Sequence, residues 1–128
     1  MNIGEVSKNT GLPAKTIRYY EDIGFVTPAR GDNGYRSFSE KDQHKLVFLG
    51  RARGLGFSIE DCRTLMALYE DQGRASADVK RVAQKNLTEI DRKIADLQAM
   101  RGTLSHLVAH CAGDGRPDCP ILEDLGRV

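Results

Sequence analysis

Thr16-Ile17-Arg18-Tyr19-Tyr20-Glu21, followed shortly by Asn33-Gly34-Tyr35-Arg36, decides the fold of this chain. Working outward from the first block, Ile17 and Tyr20 share one face of a helix expected from about Ala14 to Ile23, which Gly24 stops. Pro13 suits the first turn of that helix, where its missing N–H costs little. Upstream, Ile3 and Val6 lie one helical turn apart in a segment from about Asn2 to Asn9, and Gly11 breaks it. Two short helices joined by a tight glycine turn form a helix-turn-helix pattern.

The second block adds a wing. Phe25-Val26-Thr27-Pro28 and Tyr35-Arg36-Ser37-Phe38 flank Gly31-Asp32-Asn33-Gly34, and Asn-Gly is a strong hairpin-turn signal. Arg30 and Arg36 sit on its two arms. Within the preceding helix Lys15 and Arg18 are spaced i, i+3 and so share a face. These cations, with the Tyr19 and Tyr35 hydroxyls, are groups suited to phosphates and base edges.

A second helix pair follows. Ser39-Glu40-Lys41-Asp42 reads as an N-cap with an acidic third position, and the helix continues through Leu46, Leu49, Ala52 and Arg53 to Gly54-Leu55-Gly56. Ser58-Ile59-Glu60-Asp61 repeats the cap. Cys62, Leu65, Met66 and Tyr69 then fall at i, i+3, i+4 and i+7, one buried stripe in which Cys62 is a small core side chain. The domain organisation expected is a winged helix-turn-helix domain with a second helix pair over 1–70, a linker over 71–75, a long helix over 76–110 and a loop with a short helix over 111–128.

The composition bounds the rest. The chain has 128 residues, and 19 Lys plus Arg against 18 Asp plus Glu leave a net charge of +1. No global attraction to nucleic acid follows, so any such function rests on local placement of Arg and Lys. Aromatic residues make up 6% with no Trp, which weighs against a base-stacking single-strand binder. No apolar run approaches the roughly 20 residues of a membrane span, and the N-terminus lacks a signal-peptide pattern. The expectation is a cytosolic protein, with no membrane partner, in which three cysteines do not serve as structural disulfides.

The most extended pattern lies in the second half. Ser76 is a plausible N-cap for a long helix. Ala83, Ile90, Leu97, Leu104 and Cys111 recur every seven residues, as do Leu87, Ile94, Arg101 and Val108, so an a/d seam broken only at Arg101 runs along it. At 1.5 Å per residue this helix is about 50 Å long. A stripe of that length finds no complete partner in so small a chain, and a second copy is the simplest one: a homodimer. Packing back on residues 1–70 is the alternative. The seam does not itself set the direction of pairing. An antiparallel pairing would set the start of one helix beside the end of the other.

Cys111-Ala112-Gly113-Asp114-Gly115-Arg116-Pro117-Asp118-Cys119-Pro120 carries the most specific chemistry. Two thiols close a loop of turn formers, and Cys119-Pro120 stands where a short helix, Ile121 to Leu125, begins. N–H groups at a helix start favour an anionic sulfur. Two soft thiolates suit a monovalent soft ion such as Cu(I) and fall short of the four ligands of structural zinc. His106 and His110, at i, i+4, would complete a Cys2His2 set if they faced the loop, and a Cys111–Cys119 disulfide is the other rival. Two thiolates around one monovalent ion leave a net negative charge, for which Lys80 of the partner subunit is the candidate counter-ion in an antiparallel pair, with Ser76 of the partner subunit beside it.

Thr16 to Glu21, Asn33 to Arg36, Ala52-Arg53 with Gly56-Phe57, Ser76 to Lys80, and Cys111 with Cys119-Pro120-Ile121 together resemble the MerR family of bacterial regulators over essentially the full length. Within it the chain looks like the copper(I)-sensing, CueR/HmrR-type subgroup, because Ser76 stands where divalent-metal sensors usually carry a cysteine. The resemblance implies a mainly α protein: a winged helix-turn-helix DNA-binding domain, a long dimerisation helix in an antiparallel coiled coil, and a C-terminal metal-binding loop with a short helix. It implies Lys15, Thr16, Arg18 and Tyr19 as DNA-binding residues on the recognition helix, Tyr35 and Arg36 on the wing against phosphates, and Arg53 as a further phosphate contact. It implies Cys111 and Cys119 as ligands of one Cu(I) per subunit, with Ag(I) or Au(I) as substitutes. The dimer would bind a palindromic operator in double-stranded promoter DNA. On binding metal it would distort an over-long promoter spacer for RNA polymerase, a bend costing a few kcal/mol. The competing function is a thiol redox-sensing regulator using a Cys111–Cys119 disulfide. No nucleophile–base pair, phosphate-binding glycine loop or paired carboxylates marks an enzyme.

Overall fold

The computed structural model describes residues 1–127. Helices α1 (Ile3–Thr10) and α2 (Ala14–Asp22) lead into strands β1 (Ala29–Arg30) and β2 (Arg36–Ser37). Helices α3 (Glu40–Gly54), α4 (Ile59–Glu70), α5 (Ser76–His110) and α6 (Pro120–Leu125) follow. The chain divides into two compact units, Met1–Asn86 and Leu87–Val128. Among the described residues no helix is long and apolar enough to cross a membrane.

The first unit is built on a single core. Val6, Ile17, Leu46, Leu49 and Cys62 are fully buried, and Tyr20, Phe25, Val26, Phe38, Ala52, Phe57 and Met66 complete the cluster. Helix α1 packs on α2 and on α3, and α3 packs on α4. Asn2 caps α1 by accepting from the Glu5 N–H at 2.8 Å. Gly11 ends the helix in the left-handed region, φ 76°, where any Cβ would be strained, and this lets α2 start three residues later. Ser39 and Asp42 form the reciprocal capping box expected for α3, and Ser58 caps α4 through the Asp61 N–H. The Met1 ammonium and carbonyl exchange hydrogen bonds with the Phe38 carbonyl and N–H at 2.9 and 2.7 Å, fastening the exit of the wing to the start of α1.

Several local expectations are corrected. Pro13 is the N-cap of α2, with extended backbone, rather than a first-turn residue; a proline cap has no side-chain acceptor and none is made. Phe25 and Val26 are core residues rather than strand, because burial of both side chains breaks the period of two a ladder needs. The ladder is two residues long on each side, with Arg30 opposite Arg36. The Asn33-Gly34 turn forms as expected, closed by the Gly34 N–H on the Gly31 carbonyl, with Gly34 in the left-handed region at φ 78°. Ser76 is the first helical residue of α5 rather than the residue preceding it.

Tyr69 does not join the buried stripe. It is 63% exposed, its ring 5.1 Å from that of half-buried Phe48, because the last turn of α4 runs past the edge of the core. The first three turns of α5 belong to the first unit. There the one buried polar residue found among the described residues, Asn86, donates from Nδ2 to the Leu55 carbonyl at 3.0 Å and so satisfies an orphan acceptor at the end of α3.

In the second unit α5 leaves Leu87, Ile94, Leu97, Met100, Leu104 and Val108 exposed along its length. After His110 the chain turns through Gly113 into α6, which opens with Pro120 in its first turn.

Candidate nucleic-acid interface and metal centre

The two faces of α2 are chemically distinct. Ile17 and Tyr20 fill the core, and Lys15, Arg18 and Tyr19 project to solvent, with Thr16 half-buried between them. No ion pair engages Lys15 or Arg18 among the described residues, so two unneutralised cations lie one turn apart on a rigid helix. At the wing tip Tyr35 is 74% exposed, its N–H bonded to the Asn33 side chain at 3.1 Å.

Arg36 is placed differently from the other cations. Its Nε donates to Glu21 Oε2, and Arg30 Nη2 donates to Glu21 Oε1 at 3.2 Å, so one carboxylate on α2 clamps both strands of the wing. Arg30 also donates to the Gly34 carbonyl at 3.1 Å. Glu21 belongs to the Thr16–Glu21 block, but its partners lie 9 and 15 residues away in sequence, so the sequence alone assigns it no role. The signal was its position: a carboxylate in the last turn of a helix opposes the dipole and calls for nearby cations.

Arg53 is part of the scaffold. Its Nη1 donates to the Phe57 carbonyl at 2.7 Å, and its charge acts on the Tyr20 hydroxyl. Burial raises the Tyr20 phenol above its ordinary range, with Arg53 opposing. Arg63, also not foreseen, lies 4.7 Å over the Phe25 ring and donates to the Ile23 carbonyl, bracing α4 against the end of α2.

Cys111 and Cys119 are half-buried free thiols at the two ends of the loop after α5, near enough for Cys111 to influence the Cys119 thiol. Cys119 is the N-cap of α6. The Leu122 N–H, and then the Ile121 N–H and the Cys111 thiol, hold its pKa below the ordinary thiol value, against partial burial and the Glu123 carboxylate. Among the described residues no group of three or more His, Cys, Asp or Glu side chains shares a metal-sized space, so the Cys2His2 zinc set is not assembled. What is assembled is a pair of adjacent sulfurs, one already favoured as the anion. That donor set fits a soft two-coordinate ion. Ser76 and exposed Lys80 lie in the first turns of α5.

Residues 1–69 match the family described as MerR HTH family regulatory protein, and residues 43–107 match the family described as MerR, DNA binding. The chain is 66% identical to the HTH-type transcriptional regulator HmrR of Rhizobium leguminosarum bv. viciae, covering 98% of this chain and 97% of that one. It is 53% identical to the heavy metal-dependent transcription regulator 2 of Rhizobium meliloti, covering 99% and 87% respectively. Among solved structures it resembles the transcription regulator PbrR691 of Ralstonia metallidurans in complex with lead(II), with a TM-score of 0.83, 26% identity and 98% of each chain covered. The two-faced α2, the wing clamped to it and these full-length likenesses place the chain in the MerR family of helix-turn-helix transcription regulators.

Proposed function

We propose that this regulator senses a monovalent coinage metal, Cu(I) ahead of Ag(I) and Au(I), and acts as a homodimer on a palindromic promoter operator to activate metal-tolerance genes. The observation that carries the reading is the Cys111–Cys119 pair at the two ends of one short loop, Cys119 standing at the start of α6, with no third His, Cys, Asp or Glu donor among the described residues. A soft ion held there supplies linear, two-sulfur coordination, one ion per subunit. Divalent zinc would be left two ligands short. Lys80 of the partner subunit offsets the residual negative charge, and Ser76 of the partner subunit lines the same place without adding a sulfur.

Lys15, Thr16, Arg18 and Tyr19 face the major groove, and Tyr35 with Arg36 contacts phosphates from the wing. Arg53 has its Nη1 committed to the Phe57 carbonyl, which leaves Nε and Nη2 to donate to a phosphate. The exposed apolar side chains from Leu87 to Val108 support dimerisation through α5. The dimer so formed presents two recognition helices to DNA and adjusts the promoter for RNA polymerase. The Rhizobium meliloti relative is, by its name, heavy metal-dependent.

The test is titration of reduced protein with Cu(I) against a competing chelator, followed by transcription in vitro from a cognate promoter. One ion per subunit, lost in Cys111→Ser while operator binding persists, is the expected result. Undiminished Cu(I) affinity in Cys111→Ser overturns the reading. Activation by an oxidant in a metal-free reaction would assign the pair to a disulfide switch instead.

A further inference from the structure

We infer that His106 and His110 form a second metal site, a nitrogen clamp for a borderline divalent ion, separate from the thiol pair. The residues lie one turn apart near the end of α5 and both are exposed. Their ring centroids are 4.1 Å apart, with planes 41° to each other. An imidazole nitrogen sits about 2.0 Å from a bound metal and about 1.1 Å from its own ring centre, so two imidazoles at right angles around one ion have centres about 4.4 Å apart. The observed spacing is within a few tenths of an ångström of that.

The second observation concerns the tautomer. His110 Nδ1 lies 2.8 Å from the His106 carbonyl oxygen. A carbonyl only accepts, so Nδ1 carries a proton, and in the neutral ring the lone pair is then on Nε2. Metal-binding histidines are commonly oriented in this way, one ring N–H held by a backbone carbonyl and the other nitrogen free to coordinate. No third His, Cys, Asp or Glu joins the pair among the described residues, so water completes the coordination. Binding is a simple exchange: each neutral imidazole donates one lone pair and one metal-bound water leaves. Imidazole donors favour Cu(II) over Ni(II), and Cu(II) over Zn(II), whereas the sulfurs favour Cu(I). The two sites therefore sort copper by oxidation state, and the clamp stands whether or not the thiols sense metal.

The probe is Cu(II) added to full-length Cys111→Ser/Cys119→Ser protein, which removes thiol oxidation and any sulfur ligation. Electron paramagnetic resonance is expected to show one Cu(II) per chain with splitting from two nitrogens. His106→Ala and His110→Ala each reduce the splitting to one nitrogen and weaken binding at least about tenfold, since the second donor acts at high effective concentration. His44→Ala, the remaining histidine, leaves both unchanged. Circular dichroism of each variant checks the helix, and His106→Gln, which keeps a polar side chain, must behave like His106→Ala. A two-nitrogen spectrum surviving His106→Ala, or no Cu(II) binding once the thiols are gone, overturns the inference.

Discussion

Glu21 grips Arg36, and that contact makes the wing an extension of α2 rather than an independent hairpin. The ladder has only two residue pairs, too few to hold a hairpin in water. Its rigidity comes from elsewhere: Arg36 and Arg30 converge on one carboxylate whose side chain is only 17% exposed, and Phe38 is tied to Met1. The angle between recognition helix and wing is thus set by electrostatics at three side chains.

Glu21→Gln is therefore expected to loosen the wing without unfolding the core. Breaking a half-buried, two-armed ion pair costs about 1–2 kcal/mol, between the values for exposed and buried pairs. The amides of Gly31 and Gly34, which bond to Tyr35 and Gly31 carbonyls, should exchange faster while those of α3 do not. Hydrogen exchange by mass spectrometry reads both, and unaltered protection at 31–34 would reject the clamp.

Lys15→Ala and Arg18→Ala should behave in the opposite way. Both side chains are exposed on α2, so stability is expected to stay within about 0.5 kcal/mol. Operator affinity should fall by about 1–3 kcal/mol where a cation reads a base, or uniformly across sequences with a salt slope lower by about 1 where it meets a phosphate. Fluorescence anisotropy at several salt concentrations separates the two. Affinity unchanged in both variants would remove α2 from the interface.

How much of this could be read from residues alone follows a physical line. Features set within one or two turns were legible: the Ser39 and Ser58 caps, the Gly11 break, the Ile17/Tyr20 face and the loop bringing Cys111 to Cys119. Features set by long-range polar contacts were not. Glu21 with Arg30 and Arg36, Asn86 on Leu55 and Arg63 on Ile23 each need the tertiary fold to bring partners together. Tyr69 failed for a related reason: its helical period continues after the neighbouring helix has ceased to cover it.

Leu97→Asp tests the exposed stripe. Leu97 is 62% exposed in the second unit and has little to lose within one chain. If a second α5 covers it, a carboxylate there is buried without a partner, and sedimentation should show a shift from dimer to monomer. Far-UV circular dichroism and the unfolding of the first unit should change little. A variant that remains dimeric would move the interface off this seam.

Alkaline pH offers a test of the core. Burial is the main cause that pushes the Cys62 thiol above its ordinary 9.0 and the Tyr20 phenol above its ordinary 10.0, while Arg53 pulls both down. Both groups keep their protons to higher pH folded than unfolded. Below the ordinary values neither contributes a pH dependence; above 9.0 the unfolded chain loses the thiol proton first, so it binds fewer protons than the native state and stability falls as pH rises. The loss continues until pH passes the raised folded values. Urea unfolding at intervals between about pH 8 and 10.5 should therefore show declining stability. Cys62→Ala lowers stability at every pH by leaving a small cavity, but its decline between pH 9 and 10 should be shallower, and Tyr20→Phe should flatten the region above 10. The slope, not the offset, carries the test: equal slopes in wild type and Cys62→Ala would mean that the thiol is not held protonated by the core.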